Sequence, residues 1–247
     1  EEEARPDEGK QPKRAEDADA RQKFLQINYI FNRKLYAVAI PEYRQFLKDH
    51  PDFEKIAMVY YALGLCEYHV GTYEARTEEE PAKSSRGSEP QWRRLLKSSV
   101  THMKRALRTP GFKHRAEAVR LVGQCYLELR DYTRARKAFT SAIKSAESPE
   151  VSAVALLGLA ETHYVKGDYS RARKLYSKFL DQRDPAPAPA QRDRATFYLA
   201  MSIYRSGDSS AKSLSAFRKI TSEDGVHKHD ALYMAALVLA EQGDEAG

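Results

Sequence analysis

Residues 156–180 read LLGLAETHYVKGDYSRARKLYSKFL. Leu156, Leu159, Ala160 and the pair His163-Tyr164 fall at helical spacing, and no alternating strand pattern competes. Gly167-Asp168-Tyr169 then interrupts the helix. Glycine permits a left-handed C-cap, and the aspartate after it can cap the next helix. Ala172 and Tyr176, four residues apart, resume a helical stripe. The stretch is therefore a hairpin: helix A, a tight turn, helix B.

The turn recurs. Gly71-Thr72-Tyr73, Gly207-Asp208-Ser209 and Gly243-Asp244-Glu245 carry it, and Lys34-Leu35-Tyr36 and Arg130-Asp131-Tyr132 are versions without glycine. The third residues stand at 36, 73, 132, 169, 209 and 245, at intervals of 37, 59, 37, 40 and 36. A period of ~20–50 residues signals stacked repeats. A second break follows the B helices at Asp49-His50-Pro51, Ser148-Pro149 and Asp184-Pro185, where proline cannot continue a helix. Small residues stand seven positions before the turn: Gly64, Gly123, Ala160, Ala200 and Ala236. A mid-helix glycine costs about 1 kcal/mol, so close approach of another helix is its natural reason. Ala39, Ala135 and Ala172 stand five after the turn, each four before an aromatic: Tyr43, Phe139 and Tyr176. The expected fold is all-α, a right-handed α-solenoid of about five and a half stacked helix-turn-helix units over residues 19–247. Residues 1–18 are polar, begin Glu1-Glu2-Glu3, and are expected to be disordered.

Two interruptions stand out. The interval of 59 exceeds its neighbours by about 20 residues, and the excess falls near Glu74–Pro90, rich in Glu, Ser and Pro. It reads as a flexible insertion at about 74–90, followed by a helix from Gln91 to Arg108. Pro185–Ala190 alternates Pro and Ala and reads as a stiff linker.

Leu63-Gly64, Val122-Gly123-Gln124-Cys125-Tyr126, the Gly-Asp-Tyr turn, Ala135-x3-Phe139-x2-Ala142 and the closing prolines resemble tetratricopeptide repeats. The resemblance covers about residues 18–247. Ile27 departs from it in the first repeat, and one extra residue precedes Phe217 in the fifth. Phe46-Leu47-Lys48-Asp49-His50-Pro51 is similar to repeats of bacterial envelope proteins of the TolA-binding and outer-membrane-assembly lipoprotein type. The resemblance implies a non-catalytic scaffold that docks a protein or peptide partner in its concave groove. Carried over by repeat position, one row of that groove reads Tyr61, Arg120, Leu157, Phe197 and Tyr233. A second row, seven residues later, reads Tyr68, Leu127, Tyr164, Tyr204 and Ala240. Gln124, Glu161 and Met201 lie between the rows, and Arg205 follows the second. The turns, as hinges between paired helices, are expected to touch no partner. Two alternatives are an RNA-binding helical solenoid and the substrate-recruiting part of a longer multidomain protein.

Composition narrows the chemistry. A net charge of +6 over 247 residues does not by itself call for nucleic acid. No run of about 18 apolar residues occurs, so no membrane-spanning helix is expected. No phosphate loop, His-Glu-x-x-His or Gly-x-Ser-x-Gly is present, so neither an enzyme nor a cofactor is expected. His227-Lys228-His229 lacks companion ligands for a metal. Cys66 and Cys125 occupy equivalent repeat positions and read as small core residues. The segment 91–115 has no acid and carries Arg93, Arg94, Lys97, Lys104, Arg105 and Arg108 opposite an apolar stripe. It reads as the solvated face of an amphipathic helix, with an anionic partner as the competing reading. Basic residues concentrated in one repeat argue against nucleic acid, which would need them along several.

Overall fold

The computed structural model describes residues 11–77, 89–146, 148–183, 186–221 and 225–245. These form two compact units with the boundary between His114 and Arg115. The first unit holds α1 (Gln11–Asn32), α2 (Tyr36–Asp49), α3 (Ile56–Thr77) and α4 (Gln91–Ala106). The second holds α5 (Arg115–Glu128), α6 (Tyr132–Lys144), α7 (Pro149–Val165), α8 (Tyr169–Leu180), α9 (Pro189–Arg205), α10 (Ser210–Thr221) and α11 (Lys228–Glu245). Within each unit consecutive helices pack pairwise, the hairpin stacking of an α-solenoid, and no strand occurs among the described residues. No described helix is long and apolar enough to cross a membrane.

Four of the six expected turns form, and one backbone device makes them all. Gly167 and Gly207 take φ of 78° and 73°, and Lys34 and Arg130 take 61° and 63° at the same place. In three of them the next N–H reaches back to the helix: Leu35 to Ile30 O, Asp131 to Tyr126 O and Asp168 to His163 O, the last two at 2.8 and 2.9 Å. The carboxylates of Asp131 and Asp168 then accept from the N–H of Arg134 and Arg171, capping α6 and α8.

The other two turns are corrected. Gly71-Thr72-Tyr73 lies inside α3, which continues to Thr77. A Cβ on Gly71 would stand 3.1 Å from the Leu96 side chain and 3.2 Å from the Trp92 carbonyl. This glycine lets α4 approach α3; it does not end the helix. The Thr72 and Thr77 hydroxyls donate to the carbonyls of Tyr68 and Tyr73, four residues back, which is compatible with continuing the helix. Gly243-Asp244-Glu245 likewise remains in α11. A glycine in a last turn costs at most about 1 kcal/mol, too little to end a helix by itself.

Smaller differences follow. Pro189 and Ala190 begin α9, since proline suits the first helical position, so the linker is shorter than it reads. Helix α1 starts at Gln11, within the stretch 1–18; residues 1–10 lie outside the described residues. Of the insertion at 74–90, residues 74–77 are helical and 78–88 lie outside the described residues. In α11 the buried residues are Ala231, Ala235 and Val238, and Ala236 is exposed.

The small-residue stripe packs the hairpins. Ala39, Ala135 and Ala172 are wholly buried, as are the aromatics one turn on: Tyr43, Phe139 and Tyr176. The Phe139 ring of α6 is wedged between two A helices. A Cβ on Gly123 would sit 2.9 Å from it, and one on Gly158 would sit 2.5 Å from it. In the first unit Gly64 meets Met103, and the Ser99 hydroxyl donates to the Gly64 carbonyl at 2.7 Å. Cys66 and Cys125 are buried free thiols, and burial pushes the Cys66 thiol up to about 12, which makes it a packing residue.

Candidate functional site

In the second unit the A helices are α5, α7, α9 and α11, and the carried-over positions fall along them. Tyr164, Phe197 and Tyr204 pack half-buried against the cluster formed by Ala200, Met201, Leu214 and Phe217. Their neighbours form a ladder of rings. Tyr164 meets Tyr198 edge-on at 4.9 Å between centroids, Tyr198 meets Phe197 at 5.5 Å, and Phe197 stacks on His227 at 4.6 Å. Such pairs contribute about 0.5–1.5 kcal/mol beyond area burial, so these aromatics join one repeat to the next.

Polar groups run beside the rings. Glu161 is buried and pairs with half-exposed Arg194 at 3.0 Å. Burial pushes its carboxyl up to about 7; Arg194 opposes this, and the charge of Glu128 reinforces it. Loss of water outweighs the ion pair because the guanidinium stays partly solvated. Gln124 donates to Glu128 at 3.2 Å, and Arg120 is held by both oxygens of Glu117, so α5 presents paired groups. The Tyr204 hydroxyl donates to Glu241 at 2.7 Å, which raises its pKa. Arg205 is exposed, and its charge acts on both Tyr164 and Tyr204. Tyr233 stands 69% exposed on α11. Met201 is buried and serves the core. Arg194 and Glu241 were missed from sequence, because each is a partner supplied by a neighbouring helix; Glu128 was also missed, although it lies one turn from Gln124 on α5.

His227 belongs to packing: besides Phe197 it pairs with Asp230 at 3.1 Å, and its N–H donates to Asp193. No cluster of metal-ligating side chains occurs among the described residues.

In the first unit Tyr61 stacks on His114 at 5.2 Å, and Tyr68 meets His69 edge-on at 5.3 Å. Sequence reading also missed Glu67. This fully buried carboxylate is held by Arg44 at 2.7 Å, the Ser98 hydroxyl at 2.9 Å and His102 at 2.7 Å. It ties α2, α3 and α4 together. The basic residues of α4 lie opposite its buried face of Leu95, Leu96, Val100 and Met103. Arg94, Lys104 and Arg108 are exposed, Lys97 pairs with Glu89, and Arg93 and Arg105 lie over the rings of Trp92 and Tyr60.

The family profile described as Tetratricopeptide repeat matches residues 88–152, 123–187 and 157–211. The chain belongs to the tetratricopeptide repeat family. Solved structures agree on the fold. MamA protein aligns with 82% of this chain and 90% of its own at 16% identity and a TM-score of 0.59. YrrB, described as a TPR protein with an unusual peptide-binding site, aligns at 15% identity and 0.55, covering 88% of each chain. PilW, a widely conserved type IV pilus biogenesis factor, aligns at 13% and 0.52, covering 86% of this chain and 98% of its own. No curated protein matches the sequence. The tetratricopeptide repeat fold supports a protein-interaction scaffold with protein or peptide partners, and its members are typically non-catalytic.

Proposed function

We propose that the second unit docks an extended peptide segment along its A helices. One observation carries this: aromatic rings and hydrogen-bonding groups alternate across α7, α9 and α11, from Glu161 and Tyr164 through Tyr204 and Arg205 to Tyr233. Rings offer apolar area, and adjacent amide, carboxylate and guanidinium groups meet a peptide backbone. Micromolar affinity, about −8 kcal/mol, suits such a surface. The similarity of Phe46–Pro51 to envelope lipoproteins favours a partner in a bacterial envelope assembly.

The test uses the two exposed members, Arg205→Glu and Tyr233→Ala, which leave the core untouched. Partners captured from the native organism and identified by mass spectrometry should be lost from the double variant while helicity is kept. Equal recovery on wild type and variant sinks the assignment.

A further inference from the structure

The last eight residues of α3 carry it further past its small residue than any other described A helix goes. Helices α5, α7 and α9 end five residues after their small residue, Gly123, Ala160 and Ala200. Helix α3 ends thirteen residues after Gly64, an overshoot of about 12 Å at 1.5 Å per residue. One face of the overshoot is held by α4 through the Gly71–Leu96 contact and a hydrogen bond from Gln91 to Glu74 at 3.1 Å. Its other face stands over the turn between α1 and α2. The two enclose a groove of about 580 Å³.

The walls are apolar and open. Leu35 from the turn and Val38 from the start of α2 are 49% and 54% exposed, and Tyr73 from the overshoot is 69% exposed. The Tyr36 ring, stacked on His69 at 4.5 Å, also lines it. Lys34 and Arg76 stand on the rim, and no acidic residue occurs among the described residues that line the groove. Three large exposed apolar side chains beside two cations mark an interaction surface.

We propose that this groove is a second docking site, specific for an acidic peptide segment carrying large aliphatic or aromatic side chains. The apolar side chains seat between Leu35, Val38 and Tyr73, and the carboxylates face Lys34 and Arg76. The site is separate from the A-helix strip of the second unit. It also revises the expectation that the turns touch no partner: the first turn is one wall of the groove.

A phage-displayed library of random peptides, selected on the full chain, tests the proposal. The recovered sequences should combine Asp or Glu with Leu, Ile, Phe or Trp. By fluorescence polarisation of the synthetic peptides, binding should weaken about tenfold or more in Val38→Glu and in Arg76→Glu. It should weaken with added salt and stay within about twofold in Arg205→Glu. Val38 and Arg76 are exposed, so circular dichroism should show both variants folded. Recovery of no binding peptide, of peptides without acidic residues, or of peptides held equally by both variants overturns the proposal. Peptides sensitive to Arg205→Glu alone also overturn it while supporting the strip of the second unit.

Discussion

Replacing Gly158 by alanine should destabilise the second unit, although alanine is the better helix former. The exchange gains about 0.5–1 kcal/mol in a helix interior. Against this, the new methyl would lie 2.5 Å from Cε1 and Cζ of Phe139 and 3.0 Å from Cε2. Ordinary carbon contacts lie near 3.5–4.0 Å, so ring or helix must move by about 1 Å. The ring has little freedom, since Gly123 faces its Cδ1 and Cε1, where a methyl would stand at 2.9 Å. Overpacking of a tight core costs about 1–3 kcal/mol, so at mid-range the net loss is about 1 kcal/mol. The sharper measurement is a double-mutant cycle with Phe139→Leu, followed by urea denaturation and far-UV circular dichroism. In the leucine background the clash is gone, and Gly158→Ala should become neutral or stabilising by up to about 1 kcal/mol. Gly158→Ala that raises the midpoint in the wild-type background, or costs the same in both, would refute the wedge.

Other consequences test separate parts of the structure. Arg130→Gly should raise thermal stability by about 0.5–1 kcal/mol, because Arg130 holds a left-handed backbone at φ 63° that glycine adopts without strain. Gly207→Ala, where open space surrounds the new methyl, should lose about as much through the backbone alone. Ser213 of α10 is buried with an unpartnered hydroxyl at the position held by alanine in other repeats, so Ser213→Ala should stabilise by about 1 kcal/mol on calorimetry. Glu161, with its carboxyl pushed up to about 7, holds its proton more tightly folded than unfolded. Its contribution is therefore fully present below the unfolded value and is lost as pH rises through about 7. Urea midpoints should rise between about pH 7.5 and 5, and Glu161→Gln should flatten that slope; an unchanged slope would count against a raised carboxyl.

The fold was legible where one residue type has one physical use. Left-handed turns at Gly167 and Gly207 demand glycine or a strained substitute, and Lys34 and Arg130 betray themselves by register. Gly71 was misread because close approach of Leu96 selects the same residue as a turn does, and sequence does not separate the two uses. Gly158 carried no signal at all, since the ring that requires it comes from α6. The site shows the same division. Repeat arithmetic set Glu161 and Tyr204 on successive A helices, but not their partners. Arg194 and Glu241 sit on neighbouring helices at positions with no common offset. Glu67 hid within an apolar face, and its acceptability depends on Arg44, Ser98 and His102 arriving from two other helices.

The misread turn has the largest functional consequence. Ordering eight further residues costs about 1–2 kcal/mol each in backbone entropy, and a short helix projecting into water does not recover that. The overshoot of α3 therefore depends on α4. Leu96, fully buried, lies against Gly71. Support and exposure fall on opposite faces: Gly71 and Glu74 turn toward α4, while Tyr73 and Arg76 turn toward the groove. Because a helix repeats every 3.6 residues, a four-residue stretch reaches both faces. The core contact that holds the overshoot is thus separable from the side chains that would recognise a partner. Side chains on the exposed face can change, and with them the peptide accepted, without loosening the hairpin beneath. A turn at Gly71, as in the other repeats, would have removed the wall and left Leu35 and Val38 open to solvent.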